Sequence, residues 1–369
     1  MTEPVRVGIV GCGFIATEYA KKIRTFPHLD LVACADLLPD RTTDLATCHE
    51  IAKPLTVERL LGDDDVQVVV NLTVPQAHVE VSAAAIAAGK SVYSEKPLGL
   101  ERVEAASLVT GATAAGVRLG CAPDTFLGAG LQTCRALIDD GAIGEPVAAT
   151  AFMQQAGPEL WHPRPQFFYA KGAGPVFDMA PYYITALVAL LGPVKRVATL
   201  AKAARKERTI ASGPDEGTTF PVEVPTHVAG VLEIGNGVVA TMIMSFDIQA
   251  TRHRWIEIHG TEATLAVPDP NTFGGRVQLR HARDREWTDV PVERAHREPT
   301  SRGIGLADMA WAMRSGRPHR ASGELASHCV DVMQSLLDSA QKGRRLKLRS
   351  SCERPAAVPA DLPEDIYDD

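Results

Sequence analysis

The chain has no closely spaced cysteine pair. Its seven cysteines, at positions 12, 34, 48, 121, 134, 329 and 352, are scattered and odd in number, and none sits in a C-x-x-C. That pattern argues against a disulfide framework or a zinc ribbon and fits reduced thiols in the cytoplasm. Metal-ligand spacing is also missing: the eleven histidines give neither H-x-x-x-H nor H-E-x-x-H, so no metal site is expected. There is no G-x-S-x-G elbow for a serine hydrolase and no G-x-x-x-x-G-K-[ST] for a nucleoside triphosphatase. No apolar run approaches the ~20 residues of a membrane span, and no basic-then-apolar leader precedes the first strand. With 38 basic against 45 acidic side chains the net charge is -7. The only basic clusters, 202–208 and 342–349, read as solvated ends of elements, which leaves no face for general nucleic-acid binding.

What is present begins with the first thirty-six residues. The apolar run Val5–Val10 leads into Gly11-Cys12-Gly13-Phe14-Ile15-Ala16, a helical stretch, and a second apolar run that ends at Asp36. Strand, glycine turn, helix, strand and acid in this order make a dinucleotide site. Gly11 permits the tight turn, Gly13 lets the backbone approach a pyrophosphate, and Ala16 lets the helix pack on the strand. The phosphates then sit on the positive end of the helix that starts at Phe14 and Ile15. Asp36 lies 20 residues beyond Ala16, where a carboxylate grips a ribose 2′-hydroxyl and repels a 2′-phosphate, so NAD rather than NADP is expected. Arg41, five residues further on, is placed to touch the adenine or a phosphate.

The 369 residues suggest two domains. Through residue 122, strands alternate with helical stretches of 10–15 residues, among them the two-sided apolar run Val66–Leu72 and a helix from Pro75 to Ala88. This is the pattern of a doubly wound parallel sheet. Residues 123–354 read as an α+β domain. A loop rich in proline and aromatics (161–169) is followed by a helix from about Val176 to Leu191 and then by consecutive strands. Turn signals at Gly235-Asn236-Gly237 and Gly260-Thr261-Glu262 predict hairpins, hence an open, largely antiparallel sheet. Helices at 305–314 and 324–342 close the unit, and 355–369 read as an extended acidic tail. A sheet with helices on one face leaves the other to a partner, and a subunit interface is expected there, with a polar outer face as the alternative.

Three stretches carry chemistry. Asn71–His78 follows a central strand, at the sheet edge where ligands of α/β folds bind. Thr73, Pro75 and His78 are candidate cofactor contacts, with a structural cap as the alternative for His78. Glu95-Lys96-Pro97 follows a short strand at the same edge. The proline biases Lys96 toward an extended conformation and points it across the crevice, where its charge can stabilise a developing alkoxide; an ordinary exposed lysine is the alternative. In Gly172–Tyr183, Asp178 and Tyr182 are four apart and share a helix face, and a phenol near a lysine can give or take a proton; helix aromatics that simply fill the core are the alternative.

Together these stretches resemble the glucose–fructose oxidoreductase / inositol dehydrogenase family, Gfo/Idh/MocA, over nearly the whole chain. Glu95-Lys96-Pro97 is the most specific mark. The resemblance implies a Rossmann domain followed by an α/β domain whose mainly antiparallel sheet makes the subunit interface of a homodimer or homotetramer. It also implies NAD(P)-dependent oxidoreduction of a sugar, cyclitol or polyol at a secondary or anomeric hydroxyl. Lys96 matches the family lysine that binds the reacting oxygen, with Glu95 beside the cofactor, and Asp178 matches the aspartate of the D-x-G-x-H block. Ala180 replaces the glycine of that block. Tyr182 stands where most members carry histidine, as it does in glucose–fructose oxidoreductase-like members. Asp124 is a substrate contact or a turn cap. Trp161 is a candidate beside the nicotinamide, and His162 and Arg164 are candidates at the substrate. Specificity is expected in the loops around Phe126, 161–169 and 300–302. A redox-neutral glycoside-cleaving enzyme with tightly held NAD, or a non-catalytic NAD-binding sensor, are the alternative functions.

Overall fold

The computed structural model describes residues 3–362 except 236, 254 and 299. The first half is built as alternating strand and helix: β1 (Val5–Val10), α1 (Phe14–Ile23), β2 (Leu29–Ala35), α2 (Pro39–Cys48), β3 (Lys53–Leu55), α3 (Val57–Leu61), β4 (Val68–Asn71), α4 (His78–Ala87), β5 (Ser91–Ser94), α5 (Arg102–Ala115) and β6 (Leu119–Cys121). The six strands form one parallel sheet in the order β3-β2-β1-β4-β5-β6. β4 and β5 are buried at every position, as strands covered by helices on both faces must be. Local signals set the helix ends. Thr56 accepts the Arg59 N–H at the start of α3, and Glu101 and Glu104 form a capping box on α5. The helix expected from Pro75 starts as a 3-10 turn, Pro75–Ala77, before α4 proper. The edge strand β3, only three residues long, gave no sequence signal.

The second half consists of α6 (Ala129–Asp139), β7 (Pro146–Gln154), α7 (Gly174–Leu191), β8 (Val194–Lys202), β9 (Glu207–Thr209), β10 (Thr219–Pro221), β11 (His227–Ile234), β12 (Val238–Ser245), β13 (Ile256–Gly260), β14 (Ala263–Val267), β15 (Val277–His281), β16 (Thr288–Val290), α8 (Ile304–Ser315), α9 (Gly323–Lys342) and β17 (Leu346–Lys347). Nine strands make one sheet, β16-β15-β14-β13-β7-β12-β11-β8-β17, with β9 and β10 a separate ribbon. Every pairing in the large sheet is antiparallel except β12 with β7. The expected hairpins are there; Asn236 in the first turn and Arg254 before β13 lie outside the described residues.

Helices α6, α7 and α9 pack on one face of this sheet. By length and composition α7 is apolar enough to cross a membrane, contrary to the expectation that no run approached that length. In the structure it is the core helix, wrapped by α6, α9 and the sheet, with fifteen buried residues. The opposite face carries a stripe of exposed or half-buried apolar side chains that includes Leu200, Val231, Val239, Ile243 and Phe152.

Two basic clusters depart from the solvated reading. Arg208 is 3 % exposed: it pairs with Glu159 at 2.7 Å and with Asp247, and lies over the Tyr169 ring. The 342–349 cluster contributes β17 to the sheet edge. The described part of the tail is strapped to the body. The Arg320 side chain donates to the Ala356 and Ala357 carbonyls, and Val358 N donates to Gln132. Residues 363–369 lie outside the described residues.

Helix α9 joins the halves, touching α5 and β6 on one side and α7 and β8 on the other. On it, His328 is fully buried. Val194 N donates to its Nε2, so Nδ1 carries the proton and faces Ser350 Oγ. Burial holds its pKa down at about 4, against an ordinary value of 6.5; burial does the same to His296, also to about 4. Below pH 6.5 the unfolded chain takes up protons that the native state refuses, so stability is lost as pH falls from 6.5 toward 4. The thermal unfolding midpoint is expected to drop over that window, and to drop less steeply in His328→Asn.

Candidate active site

The parallel register brings one set of residues to a single sheet edge. Val10 pairs with Ala35 and Asn71, Asn71 with Ser94, and Ser94 with Cys121. Gly11, Asp36, Thr73, Glu95 and Lys96 therefore emerge side by side at the carboxyl ends of β1, β2, β4 and β5, where open α/β sheets bind ligands.

The glycine turn is built for close approach. Gly11 has φ +99°, and a Cβ there would stand 2.6 Å from the Leu72 carbonyl carbon. A Cβ on Gly13 would meet nothing within 4 Å, so this side of the turn is open. Gly13 offers no side-chain cap to α1, which leaves the first N–H groups of the helix, at Phe14 and Ile15, for an outside acceptor. Asp36 is held at the crevice by two backbone donors, Cys12 N to Oδ2 at 2.8 Å and Leu38 N to Oδ1 at 2.9 Å. Phe14, Leu37 and Val74 are exposed at 94, 89 and 63 %. Large apolar side chains left bare at a sheet edge mark a binding surface. A pyrophosphate on the α1 N-terminus, a ribose at Asp36 and apolar walls fit a dinucleotide.

Across the crevice, the Lys96 ammonium donates to the Asp178 carbonyl at 2.6 Å and to its Oδ1 at 3.1 Å, and stands 5.2 Å from the centre of the Tyr182 ring. Burial pulls the Lys96 pKa down, but the nearby Tyr182 phenol oxygen and the Asp178 and Glu95 carboxylates outweigh it, and the net shift is upward. Lys96 thus stays an ammonium. Glu95 accepts from Tyr19 Oη at 2.8 Å and from Lys96 N at 3.0 Å, which fixes the turn. Tyr182 is buried on α7, and Arg302 Nη1 donates to its Oη at 3.2 Å.

Residues 5–122 match the family model described as oxidoreductase family, NAD-binding Rossmann fold, and residues 131–266 match the GFO/IDH/MocA C-terminal domain. Inositol 2-dehydrogenase 3 of Saccharopolyspora erythraea is 31 % identical over 77 % of this chain and 79 % of its own length. The chain belongs to the GFO/IDH/MocA oxidoreductase family. Another relative, the 1,5-anhydro-D-fructose reductase of Ensifer adhaerens, is 28 % identical over 84 % of this chain and 94 % of its own. Among solved structures, an NAD-binding oxidoreductase from Klebsiella pneumoniae superposes with a TM-score of 0.82 at 22 % identity, covering 95 % of this chain and all of that one. Levoglucosan dehydrogenase in complex with NADH and L-sorbose gives 0.80 at 20 %, with 95 % of this chain covered and all of the other. At such identities these two likenesses show the fold. As a GFO/IDH/MocA member the chain is an NAD-binding oxidoreductase.

The structure separates the remaining candidates. Two do not face the crevice. His78 is 1 % exposed. Its Nδ1 meets the Pro97 carbonyl at 2.7 Å and its Nε2 the Thr73 carbonyl at 3.0 Å, so it braces two crevice loops from behind instead of contacting cofactor. Asp124 is fully buried. Its Oδ2 accepts from Gly303 N at 2.8 Å and Gly305 N at 2.9 Å, so it clasps the start of α8 and is a cap rather than a substrate contact. Thr73 Oγ1 is turned onto Asn71 Oδ1 at 2.7 Å, while Pro75 and Arg41 are exposed. Trp161, His162, Phe167 and Phe168 stack edge to face on one another, and His162 Nδ1 accepts from Arg164 N at 3.0 Å. No hydrogen bond or ring contact among the described residues ties this cluster to Lys96, Asp178 or Tyr182.

In this family member the site also includes Tyr19, Asn271 and Arg302. Only the loop carrying Arg302 is flagged by sequence, and nothing local links any of the three to the motifs. Gly11→Ala is expected to weaken NAD binding at least tenfold and to lower stability by roughly 1–3 kcal/mol, since alanine at a positive φ is strained and its methyl meets backbone. Nucleotide titration and denaturant unfolding check both.

Proposed function

We propose that this protein transfers hydride between NAD and a secondary or anomeric hydroxyl carbon of a sugar, cyclitol or related polyol. The observation that carries the reading is the Lys96–Asp178–Tyr182 group across from the dinucleotide edge. The substrate class is supported by the relatives, one named as an inositol dehydrogenase and one as a sugar reductase.

NAD, when bound, supplies the hydride acceptor or donor. Lys96, extended ahead of Pro97 and kept cationic, holds the reacting oxygen and stabilises its negative charge as the C–H bond breaks. Asp178 orients the ammonium and balances it between turnovers. Tyr182 Oη, which accepts from Arg302, directs its own proton toward the reacting oxygen and serves as the acid/base. Asp36 favours NAD over NADP.

A second copy of the chain covers the open face of the large sheet in this reading, because its apolar stripe spans β8, β11, β12 and β7. Leu200→Asp with Val239→Asp is expected to shift the protein to monomers in sedimentation velocity; an unchanged oligomer would place the interface elsewhere.

The test of the chemistry is nicotinamide absorbance with a panel of sugars, sugar acids, cyclitols and glycosides. Turnover is expected with NAD and one polyol class. Lys96→Met is expected to lose about 100-fold or more in kcat while NAD still binds. Full turnover by that variant sinks the mechanism.

A further inference from the structure

Arg302 is a half-buried cation whose described partners are neutral. Nη1 donates to Tyr182 Oη at 3.2 Å and Nη2 to Asn271 Oδ1 at 3.3 Å, both long bonds, and the guanidinium carbon lies 5.7 Å from the centre of the Tyr182 ring. No carboxylate among the described residues makes an ion pair with it. Glu95 acts on it through space, but its two oxygens are taken by Tyr19 Oη and Lys96 N. Lys96 has Asp178 at 3.1 Å, whereas Arg302 makes no close ion pair: the carboxylates of Glu95 and the buried Asp124 act on it only at longer range, and Asp124 Oδ2 is taken by Gly303 N and Gly305 N. A partly desolvated guanidinium is stabilised by an anion that arrives with the ligand.

Arg302 is also held still. Gly303 N, the next backbone donor, is clasped by the buried Asp124, as is Gly305 N, and Ser301 is buried on the other side. The arginine thus projects from a pinned turn toward the hydroxyl end of Tyr182. Asn271 uses its carbonyl oxygen on Arg302, which leaves its amide N–H groups to reach a second acceptor. The cofactor pyrophosphate does not answer this charge, since its place is the N-terminus of α1 at Gly13–Ile15.

We propose that Arg302, with Asn271, anchors a carboxylate on the substrate, so that the preferred polyol is a sugar acid rather than a neutral sugar. The inference rests on the polyol oxidoreductase reading above. The guanidinium fork accepts a carboxylate through two parallel hydrogen bonds, a geometry that a hydroxyl cannot reproduce. The carboxylate end of the ligand lies at Arg302 and the reacting hydroxyl at Lys96, with Tyr182 between them.

The experiment is calorimetric binding of galactonate and of galactitol to the protein saturated with NADH. Neither compound is reduced by NADH, so binding is read without turnover. Galactonate is expected to bind roughly 10- to 100-fold more tightly than galactitol, the value of a charge-assisted hydrogen-bonded pair. Arg302→Gln is expected to bring that ratio close to one, and Arg302→Lys, which keeps the charge and loses the fork, to restore part of it. Unfolding midpoints of the variants show that they are folded. Equal binding of the two compounds by the unaltered protein, or a ratio that survives Arg302→Gln, overturns the carboxylate anchor. Binding of neither compound also overturns the carboxylate anchor, while the polyol reading on which it rests stands or falls separately with the turnover panel.

Discussion

One partly buried ammonium ties the two halves of this protein together at the crevice. Lys96 ends the loop after β5 of the parallel sheet, and Asp178 belongs to α7 of the second domain; the contacts at 2.6 and 3.1 Å between them cross the crevice. Burying a cation costs several kcal/mol unless it is paired and hydrogen-bonded. The carbonyl, the carboxylate and the ring face of Tyr182 meet that need only when the domains sit as they do. Helix α9 holds the same arrangement from the other side, since it packs on α5, β6, α7 and β8 together. Domain orientation and active-site assembly are therefore one constraint.

Lys96 and Arg302 face the carboxylates of Asp178 and Glu95, with the buried Asp124 also acting on Arg302, and the pairing is uneven in space. Asp178 is spent on Lys96, and Glu95 on Tyr19 and the Lys96 backbone. In the proposed reaction, an oxygen gaining charge beside Lys96 would compete with Asp178 for the ammonium, which suits a group that must bind an oxygen and release it. Tyr182 stands between the two cations, so in the proposed reaction charge on its oxygen would be compensated from both ends.

The parts of this architecture that were legible in the sequence are those whose causes are local. The glycine turn, the acid at Asp36 and the extended lysine before Pro97 are each set by a few neighbouring residues, and strand registry then brings them to one edge. Asp178 and Tyr182 meet because helical spacing puts them on one face. What was not legible depends on distant partners. Arg208 lies in a basic run, and only the fold supplies Glu159 and Asp247. Asp124 reads equally as a substrate contact or a turn cap until the start of α8 arrives 179 residues later. His78 looks like a crevice residue because of its position after β4, but the loop after Lys96 covers it. β3 and β17 are too short to show a period, and their strand character comes from the neighbour they pair with.

The account stands most directly on where the hydride goes. With a polyol deuterated at the carbon that bears the reacting hydroxyl, it predicts that deuterium appears on the nicotinamide ring of the cofactor. It also predicts that the transfer rate collapses in Lys96→Met while nucleotide binding is retained. Turnover of the polyol with no deuterium on the nicotinamide, or transfer at an undiminished rate without the Lys96 ammonium, would contradict it.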